Sequence, residues 1–277
     1  MAETLPVYDS DQRPAAILAP FEHMMEHRAL IRLLVVRDIT VRYKRSALGV
    51  WWTLLNPLLT TAVLWVVFSQ VFRFATEDPV PFVVYLLSGV IVVTFFSQGV
   101  NAVGGSIVNS SGILTKVYVP PEVFAVAAAA AAMTNFFLSM VPLLLIQVVV
   151  GVGIPWTVLL TPIPALALLA LVTGVGLVVA SIAVYFYDVM DLANVGVQLV
   201  AYLTPSFYPI EIVPEGLQTF IFANPLYSYL LTFRSLVYLG ELPPWWALLY
   251  MSVTAVGALA VGVWTFQRSW KNLVVLL

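Results

Sequence analysis

Six stretches of this chain contain no Asp, Glu, Lys or Arg: Leu48 to Phe72, Val80 to Val103, Val123 to Val150, Thr157 to Tyr187, Leu192 to Ile210 and Trp245 to Gln267. Each approaches or exceeds the roughly 20 residues that a helix needs to cross hydrocarbon. Of the 277 residues, 61% are hydrophobic and 9% are charged, against about 25% charged in soluble domains. A water-soluble core cannot hide that much apolar surface. In a bilayer a helix satisfies its own backbone polar groups. The pattern therefore dictates an all-α integral membrane protein.

The few charges set the expected topology. Seven of the twelve Lys and Arg residues precede residue 46, in a block that includes Arg28, Arg32, Arg37, Arg42, Lys44 and Arg45. A seventh apolar stretch, Gly216 to Gly240, is interrupted by Asn224, Pro225 and Arg234. Counting it as a span would put the C-terminus, with Arg268 and Lys271, outside. Counting six spans leaves only Arg73 and Arg234 outside, which the positive-inside rule favours. The expectation is six transmembrane helices with both termini cytoplasmic. The segment around Asn224 and Pro225 then forms re-entrant short helices between spans five and six, since a break at membrane depth survives only inside protein or along a cavity. Residues 1–20, with Pro6, Pro14 and Pro20, read as a mobile cytoplasmic tail. Residues 21–46 read as an interfacial amphipathic helix, although Met24, Leu30, Leu33, Leu34 and Val41 make no clean stripe. The transmembrane domain occupies 47–277. The first 47 residues lack a long apolar run behind a basic start, so no signal peptide is expected. No internal repeat is visible, so symmetry is expected from pairing of identical chains.

What is missing narrows the function. The chain has no cysteine and two histidines, His23 and His27, with no third ligand in view, so they read as surface residues and no metal site is expected. The net charge of −2 gives no case for nucleic acid as a partner. Proton-coupled transporters keep ionisable residues in the membrane, whereas these spans are empty of charge and Asp188 and Asp191 are expected only at a cytoplasmic turn. No Ser/His/Asp set is apparent, so an intramembrane enzyme is disfavoured. Nor does a G-x-x-x-x-G-K-[ST] phosphate loop occur. If transport is driven, the fuel is spent on another subunit.

Four pieces of sequence point further. Arg37, Asp38, Ile39, Arg42, Tyr43, Lys44 and Arg45 lead into Ser46, Leu48, Gly49, Trp51, Trp52, Asn56 and Pro57. Leu114 to Pro120 reads LTKVYVP, and Tyr185 to Asp191 reads YFYDVMD. Ser206 to Ile210 is followed by Asn224, Pro225, Leu226, Phe233 and Arg234. In this order the pieces resemble the ABC-2 type permeases that export polysaccharides, the O-antigen and teichoic-acid exporter subunits. The likeness runs from about Leu30 to Arg268. One departure is that Tyr187, rather than a basic residue, precedes Asp188, which weakens a salt-bridged grip on a partner at that turn.

The resemblance implies a homodimeric permease in the bacterial inner membrane, with two copies of a separate ABC ATPase carrying the ATP and magnesium. This chain would hold no cofactor itself. Its cargo would be a glycan linked to a polyprenyl pyrophosphate: O-antigen, teichoic acid, capsule or cell-wall galactan. Leu114, Thr115, Lys116, Val117 and Tyr118 would couple to the ATPase. Arg42, Lys44 and Arg45 would contact the lipid head group as well as fix topology, because arginine's planar fork suits phosphate oxygens. Tyr85, Phe207 and Tyr208 are candidate channel aromatics on which sugars could stack, although an interfacial aromatic belt explains such residues too. The alanines Ala125 and Ala127 to Ala132 are expected to pack helices closely. An ABC-2 exporter of small molecules or drugs, and a passive channel or scaffold, remain the alternatives.

Overall fold

The computed structural model describes residues 27–44, 46–71, 82–114, 116, 119–186 and 188–276, leaving out the side chains of 42, 43, 70, 71 and 270–276. These residues form ten α-helices and no strand. Helix α1 spans Arg28–Tyr43. Helix α2, Trp51–Val66, runs on as a π-helical turn over Val67–Val71. Helix α3 covers Phe82–Gly104, and the short α4, Ser111–Leu114, follows it. Helix α5 is Glu122–Val150, ended by Gly151 in the left-handed region at φ 85°. Helix α6 is Pro162–Ala183, led in by a 3-10 segment at Trp156–Leu160. Helices α7, Val189–Leu203, α8, Glu215–Ala223, and α9, Pro225–Arg234, precede the long α10, Trp245–Leu276.

Among the described residues five helices are long and apolar enough to cross a membrane: Trp51–Ser69, Phe82–Gly104, Glu122–Val150, Trp156–Ala183 and Trp245–Ser269. Each coincides with an expected span. The expected fifth span, Leu192 to Ile210, differs. Its helix α7 has 15 residues, about 22 Å at 1.5 Å per residue, against a hydrocarbon core of roughly 30 Å. The cause is local: Thr204 takes an extended conformation at ψ 129°, as a residue before proline prefers, and Pro205 cannot continue the ladder.

Helix α3 is the hub. Val84, Leu86, Leu87, Ile91 and Val100 are at most 2% exposed, and α3 packs against α2, α5, α6, α7 and α9. Phe95 of α3 meets Phe136 of α5 with ring centroids 4.9 Å apart, and Phe136 lies 5.7 Å from Phe233 of α9. Within a bilayer, close packing of helices rather than water exclusion drives association. Helices α6 and α10 cross closely, where a Cβ on Gly174 would strike the backbone of Ala258 and one on Gly262 would strike Gly174.

The alanines of α5 divide their duty. Ala125, Ala128 and Ala129 pack with Val103, Ile107 and Leu177, while Ala127, Ala128, Ala131 and Ala132 face a cavity. Helix α1 lies along the start of α5, with Leu34 packed among Val123, Phe124 and Ala127. Leu30, Ile31 and Val35 pack partly against the same cluster, while Leu33, Val36 and Val41 stay exposed.

Candidate functional site

Two features stand out, at opposite ends of the bundle. At the end away from α1, the two short helices α8 and α9 meet at Asn224, with Pro225 as the first residue of α9. Proline suits that position, where its missing N–H is no loss. The Asn224 side chain accepts from the Leu226 N–H at 3.0 Å and donates to the Val200 carbonyl and to Thr204 Oγ1, both at 2.9 Å. One side chain therefore caps α9 and ties it to the end of α7.

Arg234, near the other end of α9, is 7% exposed. Its Nε donates to Ser88 Oγ at 3.2 Å, its Nη1 to the Pro205 carbonyl at 3.0 Å, and its Nη2 to the Tyr85 and Ser206 carbonyls at 3.1 and 3.0 Å. The guanidinium carbon lies 3.6 Å from the Tyr85 ring centroid, within cation–π range. Among the described residues no carboxylate forms an ion pair with it; the ion pair seen there is Arg37 with Asp38. The positive-inside count expects Arg234 on the outer side within the re-entrant segment, and its side chain is buried. A buried charge is tolerable when it is well hydrogen-bonded, and this one donates to three carbonyls and a hydroxyl.

Tyr85 and Tyr208 are brought to the same place. The Tyr85 hydroxyl donates to the Tyr208 carbonyl at 2.7 Å and approaches the Pro205 carbonyl at 3.1 Å. The Tyr85 ring also stacks on Phe82, 6.0 Å between centroids. Phe207 is half-buried between Ser206 and Tyr208. The linker fits tightly, since a Cβ on Gly89 of α3 would meet the Ser206 carbonyl at 2.5 Å. Beyond Arg234 a π-helical turn runs over Ser235–Leu239, and the buried Gln147 and Thr157 donate to the carbonyls of Val237 and Leu236.

Lys44 is exposed. Arg42 belongs to the last turn of α1, with its side chain outside the described residues, and so is Arg45. Leu114 packs partly against the Leu34 cluster and Lys116 is exposed. Thr115, Val117 and Tyr118 lie outside the described residues, as do His23 and the tail 1–20.

Between α1, α2, α3 and α5 opens a cavity of about 830 Å³. Its wall is mostly apolar, with uncharged polar side chains set into it: Asn56 from α2, Thr94 and Gln98 from α3, Asn135 and Ser139 from α5. These residues were not among the expected site residues. Thr94 with Gln98, and Asn135 with Ser139, are four apart and so share a helix face. The signal was a polar stripe at helical spacing within apolar spans.

A family model described as ABC-2 type transporter matches residues 29–238. The O-antigen export system permease protein RfbA of Myxococcus xanthus is 28% identical over 240 residues, covering 85% of this chain and 91% of that one. A protein of the same description from Klebsiella pneumoniae is 27% identical over 218 residues, covering 77% and 83%. The capsule polysaccharide export inner-membrane protein CtrC of Neisseria meningitidis is 25% identical over 248 residues, covering 87% and 92%. The family match takes in α1 through α9, including the Asn224 junction and the Arg234 clamp, and the chain belongs to the ABC-2 type transporter family.

Proposed function

We propose that this chain is the membrane-spanning subunit of an ABC exporter that moves a polyprenyl-pyrophosphate-linked polysaccharide across the bacterial inner membrane. The observation that carries this reading is near full-length similarity to permeases named for O-antigen and capsule export. Their names favour a glycan over a drug-like cargo and an energised pump over a passive channel. Two copies of the chain form the pore, and two ATPase subunits supply ATP and magnesium beneath it.

In this reading α7 counts as the fifth of six spans, shortened on the outer side, and α8 with α9 re-enters from that face. The α1 end, where the basic block lies, faces the cytoplasm, together with both termini. Helix α1 rests in the interface, residues 1–20 are a mobile tail, and 47–277 form the transmembrane domain. Leu114 to Tyr118 docks on the ATPase. Arg42, Lys44 and Arg45 meet the pyrophosphate at the membrane face, while Tyr85, Phe207 and Tyr208 flank the outer exit.

The test is a strain lacking this chain. The lipid-linked glycan is expected to accumulate on the cytoplasmic leaflet and to return to the cell surface on re-expression. Normal surface glycan in the deleted strain contradicts the reading.

A further inference from the structure

Helices α6 and α10 meet at Gly174, where a side chain would strike Ala258. Past that crossing they part and leave a groove of about 350 Å³, walled by residues between Val178 and Tyr185 on one side and between Trp264 and Ser269 on the other. Ala180 and Phe266 beside it belong to a cluster that Leu114 packs against, and Leu114 also packs against the Leu34 cluster of α1. The groove therefore opens at the α1 end of the bundle. Both helices run toward that end, so the groove is graded along its length. Nearer the crossing are Ile182 and Trp264, 42% and 60% exposed. Farther along are Tyr185, Arg268 and Ser269. The apolar span Trp245–Ser269 ends at that level, where amphipathic aromatic residues favour the membrane–water boundary.

The polar groups sort into two kinds. The hydroxyls of Ser181 and Thr265 are used within their own helices, donating to the Leu177 and Gly262 carbonyls at 2.7 and 2.9 Å. Arg268 has no carboxylate partner among the described residues. Its guanidinium carbon lies 5.6 Å from the Trp264 ring centroid, a cation–π distance that leaves the N–H groups of the fork to donate elsewhere. The Tyr185 and Ser269 hydroxyls likewise have no hydrogen-bond partner among the described residues. Lys271, three positions beyond Arg268 in the chain, carries the same sign of charge. A guanidinium flanked by two hydroxyls suits phosphate oxygens, and the apolar residues one turn away suit an acyl chain. An arginine that only reached for water at a helix end would need no such groove beneath it.

We infer that this groove holds an anionic phospholipid of the bilayer, with its phosphate on Arg268, Tyr185 and Ser269 and an acyl chain along Ile182 and Trp264. Basic pockets between transmembrane helices at the cytoplasmic side are suited to such head groups. The inference goes beyond the exporter reading and takes from it only which leaflet supplies the lipid.

The experiment uses the chain with its ATPase in nanodiscs of equal phosphatidylglycerol and phosphatidylcholine. The chain has no cysteine, so Val261→Cys places one thiol on the exposed face that Trp264, Thr265 and Arg268 share. A benzophenone on that thiol is photolysed, and mass spectrometry identifies the lipid crosslinked to this chain. Phosphatidylglycerol adducts are expected to outnumber phosphatidylcholine adducts at least about tenfold. Arg268→Gln should bring the ratio to within about twofold, with Arg268→Lys between the two. Equal adducts in the parent, or an unchanged ratio in Arg268→Gln, overturn the assignment. If the Arg268→Gln complex does not assemble, Tyr185→Phe with Ser269→Ala decides: a lowered ratio supports the assignment and an unchanged one overturns it. Added polyprenyl pyrophosphate separates the two sources of phosphate. Phosphatidylglycerol adducts that persist support the bilayer lipid, and their replacement by polyprenyl adducts overturns it. The crosslink needs no transport, so the two readings fail separately. ATP-driven glycan export without the phosphatidylglycerol preference overturns the groove alone, and the preference without export overturns the exporter reading alone.

Discussion

Removing Arg234 gives the sharpest test of how the end of the bundle away from α1 is built. Its guanidinium satisfies three carbonyls, those of Tyr85, Pro205 and Ser206, and Ser88 Oγ. Arg234→Leu leaves those acceptors in a site that is 7% exposed. An orphaned buried acceptor costs about 1–3 kcal/mol. Several such acceptors orphaned together, partly relieved as the 204–206 linker relaxes toward solvent, cost about 3–4 kcal/mol. At about 1.4 kcal/mol per tenfold, opening of the linker becomes roughly 10² to 10³ times more frequent. The chain has no cysteine, so Ser206→Cys places a single thiol at a position that is 0% exposed. Maleimide labelling of that thiol should quicken by at least about a hundredfold in the Arg234→Leu background, by the same conversion. Arg234→Lys, a compact ammonium without the planar fork, should fall between. A labelling rate within about threefold of the parent, under about 0.7 kcal/mol, refutes the clamp.

Asn224→Ala removes the α9 cap and the ties to Val200 and Thr204; a cap alone is worth about 1 kcal/mol, and thermal unfolding in detergent should show a loss of about 2–3 kcal/mol. Gly174→Val sets a branched side chain against the Ala258 backbone, and a shift of helix α10 of this kind costs about 1–3 kcal/mol or more, read as a lower midpoint in the same assay. Arg42→Ala with Lys44→Ala should cut glycan export and leave membrane insertion intact, checked by flotation and by terminal-tag accessibility. Unchanged export, or a flipped orientation alone, removes the head-group role.

The spans were legible because charge is so costly in hydrocarbon that its absence marks them. Glu122–Val150 and Phe82–Gly104 begin and end within two residues of the apolar runs that announced them. Asn224 and Pro225 likewise marked a break that the chain makes between two short helices. The fifth span was overextended because hydropathy sees Leu192 to Ile210 as continuous, whereas Thr204 and Pro205 stop the ladder. Arg234 was read as part of the re-entrant segment, but its buried hydrogen bonds were not legible because several of its acceptors are distant in the chain. The Tyr85 carbonyl lies 149 positions away, and no local pattern reports it. The cavity wall was readable in principle. Thr94 and Gln98, and Asn135 and Ser139, repeat at helical spacing, but a search for charges passes over neutral amides.

The central claim is that this chain carries a lipid-linked glycan across a membrane on energy supplied by a partner. The most direct measurement places the chain and its cognate ATPase in proteoliposomes loaded with a polyprenyl-pyrophosphate-linked glycan. Exposure of the glycan to an outside glycosidase or lectin is then followed with and without ATP and magnesium. Loss of one leaflet's glycan and gain on the other only with hydrolysable ATP is the predicted result. Movement that proceeds equally without nucleotide, or no movement with it, contradicts the account.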